Sequence, residues 1–263
     1  MKSITIIGGG NLGKAIAEGL ISSAFCKPNT ITITKRNIND LTPLKLKGVT
    51  VLNDNKLAIK SADTILLCVK PFQAKEVLHE ICKTLKPNQI IISCVSGVSI
   101  DEIKKIISKK CKVVRAMPNT AMSIKQSMTC LSFTNNDEKT TKYIQSIFNA
   151  IGKTIVIEEK LMDAATVLGA CGTAFALRYI RANIQAGIEI GFDAKTARLI
   201  AAQTVKGAAD LLLINGTHPE EEIDKVTTPK GVTITGLNQM EHNGLSSSII
   251  KGITESYKKI LNH

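Results

Sequence analysis

The chain of 263 residues contains no tryptophan, and aromatic residues make up only 3% of it. Proteins that hold single-stranded nucleic acid stack the bases on aromatic side chains, and no such side chains are interleaved with the basic residues here. The net charge is +12, but the lysines are dispersed rather than gathered in one long run. We therefore expect solvated basic surfaces and no nucleic-acid partner.

Long apolar runs are also missing. No uninterrupted run reaches the ~18–20 residues that a membrane-spanning helix needs. The short apolar run near the start is broken by Gly8-Gly9-Gly10, too soon for a signal peptide. These absences predict a cytoplasmic protein without a membrane partner.

The chain lacks the residue spacing of a metal site or a disulfide framework. Its seven cysteines are odd in number and include no CxxC pair, and its four histidines are scattered. Cys68, Cys94 and Cys171 lie in apolar or small-residue segments. We expect reduced, buried thiols and no bound metal.

What the sequence does contain is a glycine-rich loop near its start. Residues 3–7 predict a strand, Gly8-Gly9-Gly10-Asn11-Leu12-Gly13 follows, and a helical pattern comes next. In this G-x-G-x-x-G pattern Gly8 makes the tight turn and Gly10 lets a pyrophosphate approach the backbone, while Gly13 lets helix and strand pack closely. Its position between a strand and a helix predicts a dinucleotide site.

The turn after the second predicted strand, residues 31–34, is basic. At this point an acid usually holds the ribose 2′-hydroxyl of NAD, whereas an arginine accommodates the 2′-phosphate of NADP. Here Lys35 and Arg36 follow the strand, and the first acid is Asp40. The turn predicts a preference for NADPH; the alternative is an exposed basic turn without a ligand.

Further strands, with helices between them, are predicted at residues 49–52, 64–69, 90–94, 112–116, 128–133 and 153–157. This alternation predicts an α/β domain over residues 1–157, with a doubly wound parallel sheet of the Rossmann type. Ligands of such sheets bind beyond the carboxyl ends of the strands. Lys70, Ser96 and Asn119 each come just after a strand, so we expect them to converge near the glycine loop.

Strand signals vanish from residue 158 onward, and residues 158–263 predict an all-α domain. The long helical pattern over residues 162–190 is rich in small residues. Each Gly inside a helix costs about 1 kcal/mol relative to Ala, so close helix packing or a kink is expected to compensate. Helices this rich in Ala and Gly indicate packing on a second copy of the chain, and we expect a homodimer.

A loop late in the chain, Thr227-Thr228-Pro229-Lys230-Gly231-Val232-Thr233, leads into a helical pattern over residues 234–240. A loop that opens a helix presents free backbone N–H groups and the positive end of the helix dipole, which suits a carboxylate. Thr228 and Thr233 add hydroxyl groups at its edges. The alternative is an ordinary helix start in which Thr233 is a cap.

Seven short motifs occur in order along the chain: Gly8-Gly9-Gly10-Asn11-Leu12, Val69-Lys70-Pro71, Ser93-Cys94-Val95-Ser96-Gly97-Val98, Arg115-Ala116-Met117-Pro118-Asn119-Thr120, Ala201-Ala202-Gln203-Thr204-Val205 with Gly207-Ala208-Ala209, His218-Pro219, and Val226 to Thr233. Together they resemble the pyrroline-5-carboxylate reductase family over essentially the whole chain. The last motif resembles the family's V-[ST]-[ST]-P-G-G-x-T segment.

The resemblance implies an oxidoreductase that acts on a CH–NH group, reducing the cyclic imine acid 1-pyrroline-5-carboxylate to L-proline with NADPH or NADH. This is the final step of proline biosynthesis. The resemblance also implies a helical dimerisation domain, an intertwined homodimer with the site between the domains, and often a pentamer of dimers. The cofactor supplies the hydride for the C=N carbon, so the protein supplies position and electrostatics.

The resemblance also assigns residues to roles. Thr233 falls where a hydroxyl hydrogen-bonds the substrate ring nitrogen, and it is the expected catalytic residue. Substrate contacts are expected from Ser96, Glu159, Thr228, Gly231 and Val232. Cofactor contacts are expected from Ile7, Gly8, Gly10, Asn11, Leu12, Lys35, Arg36, Asn55, Val69, Lys70 and Pro71.

The chain departs from the family pattern at three places. The family's S-G-S-G-P-A-Y segment stands here as Gly169-Ala170-Cys171-Gly172-Thr173-Ala174-Phe175, Ala121 replaces a proline, and Lys230 replaces the first glycine of the P-G-G turn. The first difference bears on the shape of the pocket rather than on the reaction. Lys230 is expected either to contact an anion or to point to water.

Two other functions fit parts of the sequence. A hydroxyacid dehydrogenase would need a Lys or His acid within the helices, but residues 162–190 contain only Arg178 and Arg181 as basic residues. A dinucleotide-sensing regulator would keep the glycine loop but would not need the Thr-Pro-Lys-Gly-Val-Thr segment. Turnover of an imine acid separates these functions.

Overall fold

The structure, a computed structural model, describes residues 2–107, 111–134 and 137–262. The chain divides into two compact units, residues 1–173 with 257–263, and residues 174–256.

The first unit is built on one eight-stranded sheet with the order β3-β2-β1-β4-β5-β6-β7-β8. Its strands are β1 Ile4–Ile7, β2 Ile31–Thr34, β3 Thr50–Leu52, β4 Thr64–Leu67, β5 Ile90–Ser93, β6 Lys112–Met117, β7 Ser127–Phe133 and β8 Gly152–Val156. The first six strands are parallel and have the order of dinucleotide-binding sheets. The predicted Rossmann-type fold is confirmed.

The central strands are buried on both faces of the sheet. Every residue of β1, β4 and β5 is buried, as their continuous apolar sequences predict for strands covered by helices on both sides. Two separate apolar clusters result, one containing Ile6 and Ile16, the other containing Ile65 and Leu78. The helices of this unit are α1 Asn11–Ser22, α2 Thr42–Leu46, α3 Asn55–Ile59, α4 Pro71–Ile81, α5 Ile100–Ile107, α6 Glu138–Asn149 and α7 Met162–Ala165.

The prediction of a purely parallel sheet is wrong at one place. Strand β7 pairs antiparallel with β6, so that Arg115 lies opposite Ser132. The link between the two strands, residues 118–126, is shorter than the dozen or more residues that a parallel crossover needs. Helix α6 then carries the chain to β8, which is parallel to β7.

The predicted single helix over residues 162–190 is interrupted. After α7, the segment Thr166–Cys171 is π-helical, and α8 Gly172–Glu189 follows. A π-helical turn is one of the recognised ways in which a long helix departs from a straight course, and such turns are frequent at functional sites. It coincides with the start of the segment that departs from the family pattern.

Helices α8, α9 Ala194–Asn215, α10 Pro219–Lys225, α11 Val232–His242 and α12 Leu245–Leu261 make up most of the rest of the chain. Asp193 caps α9, because its carboxylate accepts the backbone N–H groups of Lys195 and Thr196. His218 occupies the cap position of α10, and Thr217 donates to Glu222 at 2.6 Å.

The second unit leaves many apolar side chains exposed. Within the described residues, helices α8, α10, α11 and α12 have no buried residue, and α9 buries only Ala197 and Ala201. Leu213 and Ile214 are 67% and 79% exposed. In the described part of the chain, one helical stretch, Glu159–Glu189, is long and apolar enough by composition to cross a membrane. Only 17% of its most apolar segment is buried.

Candidate active site

The glycine loop has the close packing that its spacing predicts. The N–H groups of Gly8 and Gly9 donate to the Thr34 carbonyl at 3.2 and 2.7 Å, which ties the loop to the end of β2. Gly8 has a φ of +106°, and a Cβ atom on it would lie 2.5 Å from the carbonyl oxygen of Cys68. A Cβ on Gly13 would lie 2.2 Å from the carbonyl oxygen of Gly8. Both positions therefore require glycine.

Gly10 is different, because a Cβ on it would meet no protein atom within 4 Å. Gly10 is the N-cap residue of α1, and its side-chain position faces open space. A glycine that the protein's own packing does not require fits a position that a ligand approaches closely. The loop therefore fits the pyrophosphate of a dinucleotide at the positive end of α1.

The basic turn after β2 is partly neutralised. The ammonium group of Lys35 is paired with the Asp40 carboxylate, and Arg36 is exposed. The Lys35 hydrogen bond, together with the charges of Lys35 and Lys14, lowers the pKa of Asp40 below its usual range. Sequence reasoning identified Asp40 as the first acid after the strand but did not pair it with Lys35.

Asn55 is the first residue of α3 and contacts both β2 and α4. Its Oδ1 accepts the Thr34 hydroxyl at 2.7 Å, and its Nδ2 donates to Glu80 Oε2 at 2.9 Å. The structure therefore brings the predicted cofactor residue Asn55 to the end of β2. Sequence reasoning missed Glu80, whose only signal is its place on a helix that follows a buried strand.

The residues after β4 lie next to the glycine loop. A Cβ on Gly8 would be 3.1 Å from Val69 Cγ1, and the Cys68 N–H donates to the Ile7 carbonyl at 2.7 Å. Lys70 is the N-cap residue of α4, and Pro71 is its first residue. These neighbours bring the predicted cofactor residues Ile7, Gly8 and Val69 together.

Ser96 and Asn119 follow β5 and β6, as predicted. Ser96 is half-buried. The side chain of Asn119 contacts its own loop and the π-helical segment, because Oδ1 accepts the Ala121 N–H at 3.1 Å and Nδ2 donates to the Gly169 carbonyl at 3.2 Å. The next residue, Thr120, shares a surface cavity of about 450 Å³ with Asn11. The loop after β6 therefore does border the start of α1.

Glu159 is held by the first unit's own backbone and by a buried arginine. Its Oε1 accepts the Ile100 N–H at the start of α5, at 2.6 Å, and lies 3.7 Å from Arg115 Nη1. Arg115 is only 4% exposed and also contacts Asp163, with 3.2 Å between Nη2 and Oδ1. Arg115 stands in one of the seven motifs, but no role is predicted for it there. The available signal is a basic residue inside an apolar strand.

The predicted buried thiols are confirmed for Cys68 and Cys94, whereas Cys171 is only half-buried. Cys68 and Cys94 directly follow the paired strands β4 and β5 and belong to the same apolar cluster. A hydrogen bond with Cys94, and then burial, raise the pKa of the Cys68 thiol well above its usual range. The Cys68 thiol is therefore protonated and unreactive at neutral pH.

In the second unit, the late loop forms a tight turn before α11. The Gly231 N–H donates to the Thr228 carbonyl at 2.9 Å, with Pro229 and Lys230 at the two central positions. Lys230 has a φ of +60°, and a Cβ on Gly231 would lie 2.5 Å from the Thr228 hydroxyl oxygen. A proline followed by a positive φ is the arrangement of a type II turn, which favours glycine where Lys230 stands.

This turn corrects two sequence-based interpretations. Gly231, not Thr233, is the N-cap residue of α11, so the alternative role of Thr233 as a cap is wrong. The Gly231 N–H is also not free for a ligand, because it closes the turn. Among the described residues, the N–H groups of Val232 and Thr233 have no acceptor. These two groups, beside the Thr233 hydroxyl, are the ones that could receive a carboxylate.

Comparison with known proteins decides the family. Residues 159–262 match the family described as pyrroline-5-carboxylate reductase dimerisation, and residues 3–97 match the family described as NADP oxidoreductase, coenzyme F420-dependent. Pyrroline-5-carboxylate reductase 2 of Dictyostelium discoideum is 43% identical, over 98% of this chain and 92% of that protein. The chain belongs to the pyrroline-5-carboxylate reductase family. The predicted resemblance is confirmed.

Other relatives agree in sequence and in structure. Pyrroline-5-carboxylate reductase 1 of Dictyostelium discoideum is 48% identical over 97% of the chain, which spans 49% of that relative's length. The crystal structure of Plasmodium falciparum pyrroline carboxylate reductase with NADP bound has a TM-score of 0.91 at 25% identity, covering 98% of this chain and 97% of that one. The structure of a pyrroline-5-carboxylate reductase from Coxiella burnetii has a TM-score of 0.87 at 31% identity, covering 99% of this chain and 98% of that one.

Proposed function

We propose that this protein reduces 1-pyrroline-5-carboxylate to L-proline, the final step of proline biosynthesis, with NADPH as the preferred hydride donor and NADH as the second. Family membership gives the reaction. The observation that carries the proposal for this chain is the combination of an unobstructed backbone at Gly10 with two free N–H groups at the start of α11. A dinucleotide and a small carboxylate are the ligands that these two features suit.

The cofactor residues are proposed from the first unit. When bound, NADPH supplies the hydride that reduces the imine carbon. The backbone from Ile7 to Leu12 receives the pyrophosphate, with the dipole of α1 favouring its negative charge. Lys35, Arg36 and Asn55 lie at the end of β2 for the ribose and its 2′-phosphate, while Val69, Lys70 and Pro71, which follow β4, are proposed as further contacts.

The substrate residues are proposed next to those of the cofactor, for each unit by itself. The N–H groups of Val232 and Thr233 bind the substrate carboxylate, and the Thr233 hydroxyl hydrogen-bonds the ring nitrogen. Thr233 thereby fixes the imine carbon for hydride transfer, and placement of the two reactants is the main catalytic contribution. Thr228 and Gly231 shape the turn that presents these groups. Ser96 and Glu159 are proposed as the contacts from the first unit.

The match of residues 159–262 to a dimerisation family supports oligomerisation. We propose a homodimer, assembled further into a decamer, with residues 158–263 as the helical dimerisation domain and residues 1–157 as the dinucleotide domain. The exposed apolar residues of α9, such as Leu213 and Ile214, are then covered by a second copy. The apolar stretch Glu159–Glu189 lies entirely in the same matched range. It therefore has a protein partner rather than a membrane, and we propose a cytoplasmic location.

One assay tests the reaction. Oxidation of NADPH and of NADH is followed with 1-pyrroline-5-carboxylate and, separately, with a panel of 2-oxo acids. We expect turnover with the imine acid and better use of NADPH, with competitive inhibition by proline through the shared carboxylate contact. Turnover of a 2-oxo acid with an inert imine would instead favour a hydroxyacid dehydrogenase, and nucleotide binding without any turnover would favour a regulator.

The oligomer has a separate test. Light scattering on the full chain is expected to show a dimer or a multiple of it, and Leu213→Glu is expected to lower the mass because it places a charge on the exposed apolar face. Lys206→Glu, an exposed charge reversal on the same helix, is the control. A fully active monomer would contradict the homodimer.

A further inference from the structure

A three-residue hydrogen-bond chain runs from the sheet to helix α4. The Thr34 hydroxyl donates to Asn55 Oδ1 at 2.7 Å, and Asn55 Nδ2 donates to Glu80 Oε2 at 2.9 Å. Thr34 is buried, while Asn55 and Glu80 are half-buried. Glu80 therefore reaches the end of β2 through the Asn55 amide.

Glu80 is the member of this chain that fixes the amide orientation. A hydroxyl can donate or accept, so Thr34 could bond either end of the Asn55 amide. A carboxylate only accepts, so Glu80 requires the NH₂ end of the amide to face it. Of the two Nδ2 hydrogens, one is used by Glu80, and the other has no partner among the described residues. Asn55 therefore has a fixed donor still free for a ligand.

The fixed donor lies where the two nicotinamide cofactors differ. Thr34 ends β2, and its carbonyl accepts the N–H groups of Gly8 and Gly9. In sheets of this order, the residues at this point contact the ribose 2′ position. A 2′-phosphate offers acceptor oxygens only, whereas a 2′-hydroxyl can donate or accept. An amide locked as a donor therefore favours the phosphate, and an amide free to turn serves either cofactor.

We infer that Glu80 is a positioning residue for cofactor choice: it locks the Asn55 amide as a donor and so favours NADPH over NADH. The inference rests on the proposed function for its cofactor. It assigns Glu80 a role that its negative charge alone would not suggest, because a carboxylate placed near a phosphate would by repulsion favour NADH.

Three variants separate orientation from charge. Glu80→Gln removes the charge but keeps an acceptor oxygen, whereas Glu80→Leu removes both. Glu76→Leu, at an exposed position one turn earlier on α4, is the matched control. The full chain is titrated with NADPH and with NADH in the absence of imine acid, and the melting temperature of each variant is recorded.

The expected result is a change in preference rather than a general loss. Glu80→Leu is expected to weaken NADPH binding by roughly 3- to 10-fold, because the Asn55 amide keeps its donor but must be oriented when the phosphate binds, and to weaken NADH binding by less than about 2-fold. Glu80→Gln is expected to stay near the parent for both cofactors, and so is Glu76→Leu. Equal loss for both cofactors in Glu80→Leu, or tighter NADPH binding in Glu80→Gln, would overturn the inference.

A double-mutant cycle keeps the test decisive if Glu80→Leu folds poorly. Asn55→Ala removes the donor itself, so it is expected to lower NADPH preference by at least as much as Glu80→Leu, and adding Glu80→Leu to it should change nothing further. Additive losses, or an unchanged preference in Asn55→Ala, would overturn the proposal. Binding is measured without imine acid, so the cofactor preference can be determined even if the protein does not catalyse the proposed reaction.

Discussion

The ammonium group of Lys35 is paired with the carboxylate of Asp40, five positions later in the turn after β2. An acid, the residue type that marks an NAD site, is thus present near this strand as Asp40. Its carboxylate, however, forms an ion pair with Lys35. The positive charge available to a 2′-phosphate is therefore smaller than the sequence of the turn suggests. Arg36, which is exposed, is left as the stronger candidate for that contact.

Asp40→Asn is expected to tighten NADPH binding by about 2- to 5-fold at low salt, because it frees the Lys35 charge and because exposed ion pairs are weak. The gain should shrink as ionic strength rises and screens the exposed charges. NADH binding should change little. Titration of both nucleotides at two salt concentrations measures this, with Lys35→Ala and Arg36→Ala together as the opposite control, which should weaken NADPH far more than NADH.

Alanine substitutions at two glycines of the glycine loop are expected to have different effects, one on nucleotide binding and the other on thermal stability. Gly10→Ala should keep the parent's melting temperature, because its Cβ meets no atom within 4 Å, but should weaken nucleotide binding. Gly13→Ala should lower the melting temperature, because its Cβ would lie 2.2 Å from a backbone oxygen that cannot move freely. Thermal unfolding and nucleotide titration of both variants check this. A tightly binding Gly10→Ala would show that no ligand approaches that residue.

Thr233→Ala is expected to lower turnover by about 10- to 100-fold, which corresponds to about 1.4–2.7 kcal/mol of transition-state stabilisation. Thr233→Ser should recover most of it, because the hydroxyl remains. Stability should be unchanged, since Gly231 rather than Thr233 is the cap of α11. Steady-state kinetics and urea unfolding of the two variants measure both effects. Full activity in Thr233→Ala would move the catalytic role elsewhere.

Lys230→Gly is expected to stabilise the second unit by about 0.5–1 kcal/mol, because a residue with a Cβ is strained in the left-handed region that Lys230 occupies. Lys230→Ala is the control: it removes the charge but keeps the Cβ, so it should not gain stability. The midpoints of urea unfolding, compared at one protein concentration, give the difference. Equal midpoints for the alanine and glycine variants would mean that this turn is not strained.

The fold was predictable wherever the local sequence is sufficient. The glycine spacing at residues 8–13 needs only a strand before it and a helix after it, and Asp193 caps a helix through its own neighbours. The direction of β7 was not predictable in this way, because an apolar strand pattern is the same in both directions. The length of the preceding link held the information, through the minimum that a parallel crossover requires.

The site residues that sequence reasoning missed are those whose partners lie far along the chain. Glu80 meets Asn55 across 25 positions, and Arg115 meets Asp163 across 48. Neither pairing follows from local spacing. The misjudged N–H of Gly231 is a different case, because its acceptor is three residues away but depends on Lys230 adopting a positive φ that its residue type disfavours.

The rate at which a reagent labels the buried Cys68 thiol can report how often the structure around the glycine loop opens. Its backbone oxygen occupies the space beside Gly8, and its sulfur is sheltered together with that of Cys94. A thiol reagent can reach it only when this end of the sheet opens, so the labelling rate counts those openings. Half-exposed Cys82 provides an internal reference. Binding of a dinucleotide over the glycine loop should slow the labelling of Cys68 while leaving that of Cys82 unchanged. The labelling rate therefore measures the occupancy of the dinucleotide site without any catalytic turnover.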